Sequence, residues 1–287
     1  MPSDSNSTQE DEVKWNRMPV MVAVAALTLT AGMADAVGRT SGAPVSGPGV
    51  AAPTDHTGSQ GAEVIVPAGQ ARTAVASCPA GREPSGGGGV RSGKGLFLTG
   101  SAPRGNAWEV KFSNKSGVER RGAAFVVCTA QSHTRVADTP LTVPAHSQSV
   151  SSFIRCPGGQ VPTGGGWEAT GTDVVGLRFS GATQSYNVVV FNDSNAVQNF
   201  NAVALCSAVA HEPRLGAQIT VQPGDEAVAT ANCDPGQVAS GGGSFPSGQA
   251  FIGASRALAD GTGWQITAEN TTGTAQKVTA EALCTSS

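Results

Sequence analysis

Six cysteines, four histidines and the Asn-x-Ser/Thr triplets that open at Asn114, Asn192 and Asn270 are the residues best equipped for chemistry in this 287-residue chain, and their spacing limits what they can do. The cysteines fall as Cys78/Cys128, Cys156/Cys206 and Cys233/Cys284, separated by 50, 50 and 51 residues. That regularity favours three local disulfides over the other pairings. Each would close a loop of about 50 residues and contribute roughly 4 kcal/mol through the entropy of the unfolded chain. Asn114, Asn192 and Asn270 each stand 14 residues before a closing cysteine and open an Asn-x-Ser/Thr triplet. Such triplets accept glycans in exported proteins. An Asn followed by Ser or Thr at a strand end also makes an Asx-type turn, and the turn is the expectation here. The histidines are His56, His133, His146 and His211; His133 and His211 share a place five residues after a closing cysteine. No partners stand at the spacing of a zinc site or a catalytic triad, so these histidines are expected on connector surfaces. The sequence thus predicts no catalytic, cofactor-binding or metal-binding residues, no cofactor and no enzyme activity. Gly88–Lys94 fits G-x-x-x-x-G-K, but Gly95 follows where a phosphate loop has Ser or Thr, and no strand–loop–helix setting surrounds it.

The elements that position these residues come in three copies. CPAGREPSGGG starts at Cys78, CPGGQVPTGGG at Cys156 and CDPGQVASGGG at Cys233, with glycine triplets beginning at Gly86, Gly164 and Gly241. An aromatic stands 20 residues before each closing cysteine: Trp108, Tyr186 and Trp264. Around it the apolar period is two, as in Trp108, Val110 and Phe112 against Glu109, Lys111 and Ser113. That pattern is a half-buried strand with the aromatic turned inward; turned outward, such rings would stack on sugars. The closing strands put small residues on the cysteine's face: Ala124 and Val126, Ala202 and Ala204, Ala280 and Ala282. The glycines are expected to permit a bulge or close backbone packing rather than to form an anion nest. No helical period runs through the repeats. The expected fold is all-β: three tandem disulfide-stapled repeats over 63–140, 141–218 and 219–287. They form either sandwich-like units in a row or a pseudo-threefold β-prism in which each repeat supplies a sheet.

What precedes the repeats is of another kind. Lys14 and Arg17, the apolar run from Pro19 to Met33 and Ala34-Asp35-Ala36 make the pattern of a signal peptide over 1–36, cleaved after Ala36. The alternative is an anchor over 19–38, for which the run is short. Residues 37–62 are rich in Gly, Pro, Ser and Thr and read as a linker. Net charge is −3, but residues 61–140 carry +5, 141–218 carry −1 and 219–287 carry −4. The basic first repeat is expected either to carry scattered surface charge, to face an anionic envelope polymer or lipid, or to meet the acidic third repeat of a neighbour.

The phrase C-P-x-G, then G-G-G, then W-x-V-x-x-x-N, then an Ala-rich strand ending in Cys resembles repeats of secreted actinobacterial proteins and of phage tail-associated proteins. The resemblance covers about residues 63–287 and is to a repeat pattern without an assigned activity. It implies an extracellular, non-enzymatic role. The excess of Arg (13) over Lys (5) fits a high-GC bacterium. The function expected is therefore a secreted or envelope-associated binding or adhesion protein. Its expected partners are cell-wall glycan, an anionic envelope polymer or another surface protein, with weak self-association and no nucleic acid. The alternative is a structural spacer or coat protein without a ligand.

Overall fold

Alternating apolar and polar residues, punctuated by glycine and Asn-x-Ser/Thr turns, make strands of almost every run in the repeats. The computed structural model describes residues 55–151, 153–182 and 184–286, so the expected leader over 1–36, its cleavage site and the alternative anchor over 19–38 lie outside the described residues. The first repeat holds β1 (Thr57–Gln60), β2 (Val64–Val66), β3 (Ala71–Ser77), β4 (Glu83–Arg91), β5 (Leu96–Arg104), β6 (Ala107–Asn114) and β7 (Arg120–Thr129). The second holds β8 (Thr134–Ala137), β9 (Leu141–Val143), β10 (Ser147–Val150), β11 (Ile154–Arg155), β12 (Val161–Ala169), β13 (Val174–Ala182), β14 (Ser185–Asn192) and β15 (Gln198–Ser207). The third holds β16 (Glu212–Leu215), β17 (Ile219–Val221), β18 (Glu226–Asn232), β19 (Gln237–Ser247), β20 (Ala250–Ala257), β21 (Gly263–Asn270) and β22 (Gln276–Ser286). β1 lies in the stretch whose composition suggested linker, so the first repeat begins earlier than residue 63. The segments between closing cysteine and next repeat likewise belong to the repeat that follows, because β8 and β9 pair with β15, and β16 and β17 with β22.

Each repeat is a small two-layer sandwich. In the first, β3, β6 and β5 form one antiparallel layer, and β4 with β7, β1 and β2 form the other. The disulfide Cys78–Cys128 staples the layers, and Cys156–Cys206 and Cys233–Cys284 do the same in the other two. The layers do not end at the repeat boundary. β5 pairs with β12, β13 with β19, and β20 with β4. Three sheets of seven, eight and seven strands result, each shared by two repeats. Because the third repeat pairs back onto the first, the sandwiches close into a ring about a pseudo-threefold axis. Closure gives partners to strand edges that a row of separate units would leave open. The architecture thus combines the two expected forms: sandwich-like units, closed as a prism is, with sheets that cross the repeat boundaries.

The glycine triplets make the closure possible. A β-bulge before each triplet turns Ser85, Thr163 or Ser240 toward the axis. There the three hydroxyls form a cyclic chain: Thr163 Oγ1 donates to Ser85 O at 2.8 Å, Ser85 Oγ to Ser240 O at 2.9 Å, and Ser240 Oγ to Thr163 O at 2.9 Å. The first glycine of each triplet lies beside this ring. A Cβ on Gly86 would stand 2.6 Å from Gly241 Cα, and one on Gly164 would stand 2.7 Å from Gly86 Cα. The second glycine, Gly87, Gly165 or Gly242, lies under Trp108, Tyr186 or Trp264. The third, Gly88, Gly166 or Gly243, lies against a carbonyl of the neighbouring repeat, that of Ser255, Ser101 or Phe179. Each glycine therefore makes room for a different object.

Trp108, Tyr186 and Trp264 are fully buried, at 0% exposure. The indole N–H of Trp108 donates to Ser101 Oγ and that of Trp264 to Ser255 Oγ, both at 2.9 Å. The second repeat keeps core volume by exchange. Gly176 stands where the others have Leu98 and Ile252, and Trp167 fills the space where they have Gly89 and Ser244, its ring against Gly176 and Phe179. At the far end of the axis Phe97, Val175 and Phe251, one from each repeat, share a second apolar cluster with Leu177 and Val189.

Much of the charge gradient is used inside the chain. The buried guanidinium of Arg91 bridges Glu226 at 2.7 Å and Glu269 at 2.8 Å, tying the first repeat to the third. Lys115 pairs with Asp173, tying the first to the second. Part of the third repeat's acidic charge is thus neutralised by the first repeat of the same chain.

Candidate functional site

The residues singled out by spacing are structural. Asn114, Asn192 and Asn270 are fully buried. The Asn114 Oδ1 accepts from the backbone N–H and the hydroxyl of Ser116, while Nδ2 donates to Val66 O and Val118 O, both at 2.8 Å. Asn192 and Asn270 repeat the pattern with Ser194 and Thr272. The amide nitrogen a glycan would need is thus committed to pinning the end of β2, β9 or β17. The bulged triplets direct hydroxyls at carbonyls on the axis, not open amides at an anion. The six cysteines are all in disulfides, which fits an oxidising compartment. Among the described residues, no helix is long and apolar enough to cross a membrane.

What remains lies at the seams. One groove follows the seam between the first and second repeats, lined by Arg82, Glu83, Asn106, His133 and Arg135 above Pro103 and Leu205. A second follows the seam between the third and first, lined by His56, Gln60, Arg256 and Asp260 above Ala257 and Val127. They occupy equivalent places. Leu205 and Val127 each precede a closing cysteine, and Pro103 and Ala257 lie opposite the core tryptophans Trp108 and Trp264. Small apolar floors edged by guanidinium, carboxylate and amide groups suit hydroxyl-rich ligands, which need hydrogen bonds at the rim and a flat contact beneath.

Each groove begins at a histidine, and this is the feature that spacing within the cysteine frame missed. His56, His133 and His211 each stand just before the first strand of their repeat, and the next residue, Thr57, Thr134 or Glu212, lies opposite the closing cysteine. His56 hid in linker-like composition. Its signal was distance, since the three lie 22, 23 and 22 residues before the first cysteine of their repeats. They are not the surface residues expected. His56 and His211 are buried with their rings edge to face, centroids 6.2 Å apart, and His133 is half-buried beside them. Burial is the main cause that holds both His56 and His211 down to about 4. The nearby charge of His133 adds to the depression of each, and burial lowers His133 as well. Among the described residues no three His, Cys, Asp or Glu already stand at metal-holding spacing. His146, outside this set, is in a turn with Nε2 2.8 Å from Asn195 Oδ1.

One buried carboxyl stands apart. Glu281 is 1% exposed, and its Oε2 accepts from the Gly181 N–H at 2.8 Å. Burial pushes it up to about 8, against the pull of that N–H and of Arg178. Neither the comparison with protein families nor that with curated proteins finds a match to this chain.

Proposed function

We propose that this chain is a secreted or envelope-associated, non-enzymatic binding protein that engages cell-wall glycan through its seam grooves. The observation that carries the reading is recurrence: the same polar-rimmed groove stands at two equivalent seams. Repeated weak sites on one rigid body gain avidity on a polymer that presents the same sugar many times. Closure of the repeats favours this over a spacer, because a ring adds no reach as repeats are added. The leader pattern and the three disulfides support an extracellular setting. The test is binding of the purified chain to isolated cell walls and to a glycan array, beside Arg135→Ser and Arg256→Ser variants, one in each groove. Retention on walls, weakened about tenfold or more in the double variant, supports the reading, as expected when two linked sites are lost. Silence across glycans and walls overturns it and leaves a coat or surface protein without a ligand.

A further inference from the structure

The axis passes from the histidine end, through the Ser85–Thr163–Ser240 ring, to the Phe97–Val175–Phe251 cluster. The hydroxyl ring is satisfied by its own carbonyls and the phenylalanine end is apolar. The histidine end is different. The Nδ1 of His133 lies 2.9 Å from Gln131 O, and that of His211 lies 2.8 Å from Val209 O. A carbonyl oxygen only accepts, so Nδ1 carries the proton in both rings and the lone pair is left on Nε2. Both Nε2 atoms are buried and have no partner. A backbone carbonyl that holds one ring nitrogen protonated is the arrangement that orients an imidazole for a metal on the other. The backbone that carries the rings is also fixed. Thr285 Oγ1 donates to Ala210 O at 3.0 Å, next to His211. Asp55, next to His56, is held by Arg82 at 2.8 Å and by the Thr129 hydroxyl.

We propose that His56, His133 and His211 together form a binding site for one divalent transition-metal ion, of the zinc class, on the pseudo-threefold axis. The inference is independent of the glycan reading. Three imidazole nitrogens at about 2.0–2.1 Å from the ion would leave one tetrahedral position for water. The rings are 6.2 Å apart at His56 and His211, so the ion draws them inward together with half-buried His133. The three rings come from three different repeats, so the site exists only in the closed ring, and the ion ties the repeats together as a fourth staple. The imidazoles are already neutral at pH 7, so binding there releases almost no protons.

The test uses the tag-free purified chain, titrated calorimetrically with Zn2+ at pH 7.5, with Mg2+ as the control ion. One Zn2+ per chain is expected, with a rise in melting temperature of about 5 °C or more at a hundredfold excess over Kd. His211→Asn and, at the less buried position, His133→Asn should each weaken binding about 10- to 100-fold. His146→Asn should leave it unchanged. Co2+ in the unsubstituted chain should give visible d–d bands of tetrahedral intensity without thiolate charge transfer, a readout that needs no variant to fold. Absence of 1:1 Zn2+ binding, or equal binding by the folded His133→Asn variant, overturns the proposal.

Discussion

Single buried groups set the limits of stability with pH, and they pull in opposite directions. His56 and His211 have folded values of about 4 against 6.5 unfolded, so the unfolded chain takes up their protons first. Their contribution is complete above about pH 6.5 and is lost as the pH falls toward 4, roughly 3 kcal/mol for each. Asp55 beside His56 and Glu83 beside His133 oppose the loss, while Arg82 adds to it. Glu281 works the other way, with a folded value of about 8 against 4.5 unfolded. The unfolded chain releases that proton first, so stability declines as pH rises from about 4.5 to 8. The two limbs meet near pH 6.5. In metal-free buffer the chain should lose about 2 kcal/mol between pH 6.5 and 8 by urea denaturation. Glu281→Gln keeps an acceptor for the Gly181 N–H and should flatten that limb. An unchanged alkaline decline in the variant would remove Glu281 as its source.

The strands, their closing cysteines and the turn asparagines were legible because each leaves a local mark: period two, fixed spacing, a turn residue at a strand end. The sheet edges leave no such mark. That β5 finds β12, and β20 finds β4, depends on backbones far apart in sequence. The reason for the glycine triplets was hidden with it, since their obstacles belong mostly to other repeats. Gly164→Ala should cost about 3 kcal/mol or more, because its Cβ would stand 2.7 Å from the backbone of Gly86 and neither strand can retreat without opening the axis. Gly117→Ala is the comparison, with nothing within 4 Å of its Cβ and no positive φ. It should fall within about 0.5 kcal/mol of the parent. Equal costs at both positions would mean that the axis is looser than its geometry implies. His56 shows the converse failure of reading by composition, because four strand residues were enough to bring a linker-like stretch into the ring.

Across the whole molecule the ring, not the repeat, is the folding unit. A fragment of residues 55–132 keeps its own disulfide and both of its layers. It loses the partners of β4 and β5, the neighbours of its first and third glycines, and the carboxylates of Glu226 and Glu269 that neutralise buried Arg91. Losing these contacts together removes a large share of the stability of any small domain. The oxidised monomeric fragment should show no cooperative thermal transition, whereas the chain over 55–286 should melt in one step. A fragment that melts cooperatively within a few degrees of the whole would show that closure is decorative.

The placement of the disulfides has a mechanical consequence. A pull between the two ends enters through β1, the short edge strand that follows Asp55, and strips β1 to β3 from the sheets until it meets Cys78. There the load crosses the sulfur bridge directly to Cys128, and the chain between the two cysteines stays slack. The same shunt at Cys156 and Cys233 shelters the chain up to Cys206 and Cys284. Under tension the aromatic strands β6, β14 and β21 are therefore never pulled end to end along the chain, and the molecule lengthens only in the segments between bridges.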